Sequence, residues 1–266
     1  MKKAIGIVLL FYGGIVCALP EFIALQERAQ GQSLTGSHQL NDSLYSNPAA
    51  SAFTAIYSLE GIYMLPKTFA VSVLDTKTGA IGGGLGYFRI LNNEQEPLQG
   101  AKLALCGRLS SYMAIGIGAK LLWGPGVGGE HRNLKDLDAG LLANLGAFQL
   151  GLTTRNLFGG DLLLEQEREW AFGGRFGYNQ MLFLSASAIS RWTQFKPYQY
   201  GIGAEYVTPY YIAVKGGFRI QPDAHRSFWS LGASLSAQKV ALHYVFEIPN
   251  QEGENKEHTL GLTLMF

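Results

Sequence analysis

Charge is the first thing this sequence has little of. Only 15% of its 266 residues are Asp, Glu, Lys or Arg, 21 basic against 20 acidic, for a net charge of +1. Such a balance leaves no electrostatic footprint for nucleic acid or another polyanion. With 47% hydrophobic residues the chain is not a disordered one either. Cysteine is scarce: Cys17 and Cys106 cannot build a disulfide framework or a zinc knuckle. Long apolar runs are missing beyond the first residues, which excludes transmembrane helices. What is abundant is glycine, at 34 residues, together with 12% aromatics and a mean hydropathy of +0.08. A helical membrane protein would be more hydrophobic; an ordinary soluble one would carry more charge.

The first segment has the order of a secretory signal. Met1-Lys2-Lys3 precedes an apolar run from Ala4 to about Val16, and Val16-Cys17-Ala18 ends on a small residue. The run is too short to span a bilayer, so a cleaved signal peptide over residues 1–18 is expected. A lipid anchor on Cys17 is a poor fit, because Val16 stands where a small residue is required. Cleavage leaves 19 basic against 20 acidic residues and Cys106 as a lone thiol, suited to an oxidising compartment.

From about Ala52 onward the apolar residues recur every second position. Leu260, Leu262, Leu264 and Phe266 alternate with Thr259, Gly261, Thr263 and Met265; Val240, Leu242, Tyr244, Phe246 and Ile248 alternate with Lys239, Ala241, His243, Val245 and Glu247. Period two with one apolar face means strands. Fourteen such segments of roughly ten residues follow one another, with cores near 54–64, 67–75, 79–90, 99–108, 112–123, 136–145, 147–155, 168–178, 181–191, 198–207, 210–220, 226–237, 239–248 and 257–266. Length and even number suit an antiparallel outer-membrane β-barrel. Connections such as Leu145-Ala147 and Thr208-Pro209 are short. The alternate set, including Gly124-Lys135 and Asn156-Glu167, is longer and more polar. A Lys or Arg facing lipid at mid-membrane costs roughly 2–4 kcal/mol, so the charged face is expected inside. Trp170, Tyr178, Tyr198, Tyr206 and Phe266 then fall outside near strand ends, where aromatic girdles meet headgroups. A soluble lipocalin-like barrel would reverse the faces, but fourteen strands would leave such an interior unfilled.

The segment between signal and strands reads Ala24-Leu25-Gln26-Glu27-Arg28-Ala29-Gln30-Gly31, then Asn41-Asp42-Ser43 and Asn47-Pro48-Ala49-Ala50. It resembles the N-terminal region of FadL/PorV-like outer-membrane barrels, where an Arg-Ala and Gly-rich stretch leads to an Asn-Pro-Ala motif before the first strand. Leu150-Gly151-Leu152-Thr153-Thr154-Arg155-Asn156-Leu157 is similar to a signature of the PorV/PorQ branch, and the chain resembles a compact member of that group. The resemblance implies an all-β, fourteen-stranded barrel over 53–266 with residues 19–52 folded into the lumen as a plug, whose motif residues are Arg28, Asn41, Asp42, Asn47 and Pro48. It implies a bacterial outer-membrane location after export, contact with outer-membrane lipid, and a C-terminal Phe266 read by the barrel assembly machinery.

Alternation places Glu60, Lys102, Arg108, Lys120, Arg155, Glu169, Arg175, Glu205, Lys215, Arg219, Lys239, His243 and Glu247 on the inner face. Among the acids and bases of this set the bases outnumber the acids eight to four, which predicts a mild anion preference for a water-filled lumen. The same set also serves as a network of pairs bracing the lumen, since buried charges need partners.

No catalytic, cofactor or metal signature emerges. Gly124-Pro125-Gly126-Val127-Gly128-Gly129 matches a dinucleotide fingerprint formally but lacks a following helix, and the five histidines lack ligand spacing. Ser230, Ser234 and Ser236 lie on the strand beside that of His243, the one arrangement with hydrolase potential. The expected function is transport of a small hydrophobic or amphipathic solute. The alternative is a non-transporting scaffold or partner of a protein secretion system, like PorV/PorQ, or a structural barrel.

Overall fold

The computed structural model describes residues 22–65, 68–91, 97–125, 131–159, 167–193, 196–251 and 255–266. The expected signal peptide and residues 19–21 lie outside them. Fourteen antiparallel strands form one closed barrel. They are β1 Tyr57–Leu65, β2 Thr68–Asp75, β3 Ile81–Ile90, β4 Leu98–Arg108, β5 Met113–Pro125, β6 His131–Leu145 and β7 Phe148–Arg155. The second half is β8 Glu169–Tyr178, β9 Leu182–Arg191, β10 Pro197–Val207, β11 Ile212–Gln221, β12 Arg226–Ser236, β13 Val240–Pro249 and β14 Glu257–Met265. Strand number and order agree with the period-two reading. The main departure is β6, which begins five residues before the expected Asp136, so that β5 and β6 rise together through Pro125↔His131. The formal dinucleotide fingerprint thereby begins inside β5, at Gly124 and Pro125; its remainder lies outside the described residues.

Closure is made by β1 and β14, paired from Ser58↔Met265 to Leu65↔His258. Beyond the last strand residue, Phe266 N–H donates to Tyr57 O at 2.9 Å. No ladder edge is left open, which a bilayer requires because hydrocarbon cannot hydrogen-bond a free strand. At the end carrying Phe266, the connections are two to five residues long. The tightest are Gly146-Ala147 and the β8–β9 turn, where Asn179 and Gln180 take φ of 51° and 57°, the twist a hairpin needs. At the opposite end the link between β7 and β8 runs to thirteen residues.

The exposed face of the strands is the apolar one, apart from the start of β6, where Asn133 and Lys135 are exposed and Leu134 is buried. Leu260 is 51% exposed and Ile117 56%, while Thr259 and Lys120 on the opposite parity are 1% and 2%. A soluble barrel would show the opposite sorting, so the outward face is built for lipid. Tyr178, Tyr206 and Phe266 are exposed near strand ends. Tyr198 is a correction: register slips between Pro197 and Gln199, and its hydroxyl turns to Glu169 Oε1 at 2.5 Å instead of facing headgroups.

Residues 22–56 contain no strand. They form the short helix α1, Leu25–Ala29, and 3-10 turns at Leu34–Gly36 and Asn41–Leu44. Most are buried, with Leu25, Asn41, Asn47 and Ala49 at 0% exposure. The burial comes from the inner faces of the strands. A Cβ added at Gly116, Gly140, Gly151, Gly173, Gly201 or Gly217 would strike this segment. Gly31 shows the reciprocal need: its φ is +62°, and a Cβ there would stand 2.7 Å from Phe218 N.

Candidate functional site

The motif residues of the N-terminal segment each make a defined contact. Arg28, 6% exposed, reaches from α1 to Glu247 on β13 at 3.2 Å and pairs also with Glu257 on β14. Asn41 donates from Nδ2 to Ser72 Oγ at 2.9 Å and accepts from the Ser58 hydroxyl, fastening the second 3-10 turn to β1 and β2. Asp42 Oδ2 accepts the backbone N–H groups of Gln26 at 2.6 Å and Glu27 at 3.0 Å, an acceptor for two of the orphan donors at the start of α1. Asn47 donates to Thr35 O at 2.9 Å and to Leu141 O on β6 at 3.1 Å. Pro48 lies against Gly116 of β5. Burial raises Glu27 to about 7 despite the nearby Arg155 guanidinium, and raises Asp42 to about 6. Burial, with Arg175 and Arg108 near, holds His38 down at about 4.

The interior is divided by character. Toward β1–β6 the segment meets an apolar compartment that includes Ile62, Ala70, Phe88, Leu122 and Leu134. Phe22 occupies it. Its ring stacks on Phe88 at 5.0 Å and 15° and stands edge-on to Tyr45 at 4.7 Å. Two ammonium groups lie beside this compartment: Lys102 Nζ is 5.7 Å from the Tyr45 ring centre and 3.9 Å from Asp138, and Lys120 Nζ is 3.2 Å from Asp138. Apolar walls next to cations make an amphipathic site.

Toward β7–β14 the interior is polar and paired. Arg155 lies 3.8 Å from Glu169, Arg175 2.8 Å and Lys215 3.4 Å from Glu205, and Arg219 3.2 Å from Glu247. Glu60 accepts from the Thr263 hydroxyl at 3.0 Å. Two expected inner charges are elsewhere. Lys239 belongs to the exposed turn between β12 and β13, one residue before the alternation starts. Arg108 is exposed at the mouth, where its Nε donates to Ala52 O at 2.9 Å over the Phe53 ring.

The expected excess of luminal bases also fails, because Lys239 and Arg108 leave the count and further acids enter it. Asp136 and Asp138 are buried on β6, and Glu257 joins Arg28. A D-x-D pair at strand period was the available signal. The serine nearest His243 is Ser234, at 2.8 Å from Nδ1; Nε2 faces the Thr263 hydroxyl at 3.1 Å, where a hydrolase would hold an orienting acid.

No protein-family model matches this sequence, and no curated protein matches it either. Solved structures do match in architecture. The Pseudomonas putida toluene transporter TodX superimposes with a TM-score of 0.68 at 12% identity, over 93% of this chain and 98% of that one. The fold is FadL-like. A Pseudomonas aeruginosa FadL homologue gives 0.58 at 12% identity, over 90% of this chain and 97% of that one. The CymD monoaromatic hydrocarbon channel gives 0.65 at 8%, over 92% and 97%. Identities this low carry the architecture and leave the solute to be argued from the lumen.

Proposed function

We propose that this FadL-like barrel is an outer-membrane channel for a small hydrophobic or amphipathic solute, with residues 19–52 acting as its plug. The observation that carries this reading is Phe22. A single aromatic ring, tethered to the segment, fills a slot between Phe88 and Tyr45, with the Lys102 ammonium on the Tyr45 side. A solute with one ring, or a ring and an acidic group, has the shape and charge to replace it. TodX and CymD are channels for compounds of the first kind, and the shared architecture supports a related role here.

In this reading the chain is exported through a cleaved signal peptide and assembled by machinery that reads Phe266. Its Phe266 end then faces the periplasm and its apolar face meets outer-membrane lipid. The protein is not an enzyme. A secretion scaffold of the PorV/PorQ kind is the competing role, and the experiment separates them. Purified protein in lipid vesicles should admit the benzoate anion, which lipid alone excludes, faster than empty vesicles, with Phe22→Ala raising the rate and Phe88→Ala reducing saturation. Impermeable vesicles with both variants, together with co-purification of secretion components, would overturn transport.

A further inference from the structure

A second compartment lies at the Phe266 end of the lumen, between the N-terminal segment and the wall from β8 through β14 to β1. It is a cavity of about 270 Å³, and hydrogen-bond directions along its lining can be read from donors alone. Lys215 Nζ has only protons to give, and it reaches Gln26 Oε1. The Gln26 amide is thereby oriented, so its Nε2 donates to His243 Nδ1 at 3.2 Å. The His243 proton must then sit on Nε2, which donates to Thr263 Oγ1 at 3.1 Å. Thr263 in turn gives its hydroxyl proton to Glu60 Oε2 at 3.0 Å. Every bond in this chain points from the ammonium toward one carboxyl group, so Glu60 Oε2 is taken up as an acceptor.

Glu60 has unused capacity. It is 3% exposed, and its Oε1 has no hydrogen-bond partner among the described residues; the same is true of Oε1 of Gln30, 2% exposed. Both side chains line the cavity, two acceptors on opposite components, one on β1 and one on the segment. By residue type the lining also holds more acids than bases. Asp42, Glu60 and Glu205 face Arg175 and Lys215, three acids against two bases. His38 lies at the far end with its Nδ1 accepting from Gln149 Nε2, so its Nε2 bears the proton of a neutral ring. A buried acceptor left unpaired costs about 1–3 kcal/mol and more when charged.

We propose that this cavity binds a small monocation, an alkylammonium or an inorganic ion, held by Glu60 Oε1 and Gln30 Oε1. No group of three His, Cys, Asp or Glu able to hold a metal occurs among the described residues, so a multivalent ion does not suit it. A monocation there ties the segment to β1, and the proposal stands independently of transport.

The test uses full-length protein in detergent micelles and no solute. Thermal unfolding is followed in chloride salts of sodium, potassium, methylammonium and choline at fixed ionic strength. Sodium, potassium or methylammonium should raise the midpoint saturably relative to bulky choline. Preference for methylammonium assigns an organic amine; preference for sodium or potassium assigns an inorganic ion. Glu60→Gln should weaken the apparent affinity at least tenfold. Should Glu60→Gln fail to show the gel shift of a folded barrel, Gln30→Met keeps size, removes one acceptor and should weaken it several-fold. Equal midpoints in all four salts, or an unchanged response in whichever variant folds, would overturn the proposal.

Discussion

Gly116→Ala isolates how tightly the N-terminal segment is seated. Gly116 faces inward on β5, and a Cβ there would stand 2.5 Å from Ala49 N and Pro48 O. Real Cβ contacts do not approach that closely, and both obstacles are backbone, so neither can swing aside. Overpacking of this kind costs roughly 1–3 kcal/mol, which multiplies the unseated population roughly 5- to 150-fold. A reporter sits directly across the ladder. Cys106 pairs with Gly116, is 4% exposed, and its thiol lies 3.4 Å from the Ser51 hydroxyl of the segment. Maleimide labelling of Cys106 in the exported protein should therefore accelerate by the same factor. Gly61→Ala is the matched control, because a Cβ at Gly61 meets nothing within 4 Å. Equal labelling rates in Gly116→Ala, Gly61→Ala and wild type, with all three showing the gel shift of a folded barrel, would refute the close-packed seat.

Arg28→Met removes one partner of Glu247 but leaves Arg219 at 3.2 Å, so the seat should weaken by about 1–3 kcal/mol, read as faster amide exchange across α1 with barrel exchange unchanged. The seat should also depend on pH. Because burial raises the Glu27 carboxyl, its contribution is complete below the ordinary value of 4.5 and lost as pH climbs through about 7, with Asp42 adding to the same trend near 6. Protection of α1 against exchange, corrected for intrinsic rates, should fall between pH 5 and pH 8, and Glu27→Gln should flatten that fall; an identical profile in the variant would contradict it. Deleting Phe266 removes both the Tyr57 backbone contacts at the seam and the terminal aromatic, and should lower the fraction of chains recovered as folded barrel from cells.

The barrel was legible because its cause is local. Whether a side chain faces lipid or lumen alternates residue by residue, and β13 and β14 display this without interruption. Where alternation breaks, inference from it breaks too. The slip between Pro197 and Gln199 redirected Tyr198, and counting back into the β12–β13 turn put Lys239 inside. Asp136 and Asp138 fell inside the expected sixth strand, on the inward parity, and were simply left out of the count of luminal acids. Residues 22–56 had no period to read. Resemblance singled out Asn41, Asp42 and Asn47, yet their partners are Ser72, the amides of α1 and Leu141 O, which only the folded barrel brings near.

The seam between β1 and β14 joins the first strand made to the last, and its outermost bonds involve Phe266 itself. The hoop therefore cannot close until β14 has been made. Residues 22–56 lie upstream of β1 yet inside the closed hoop, with backbone pressed against glycines from β5 to β11. Lowering them afterwards through either rim would mean forcing a folded, hydrogen-bonded cord past a finished wall. An assembly order in which the sheet curls around that cord, as around a mandrel, avoids the obstacle.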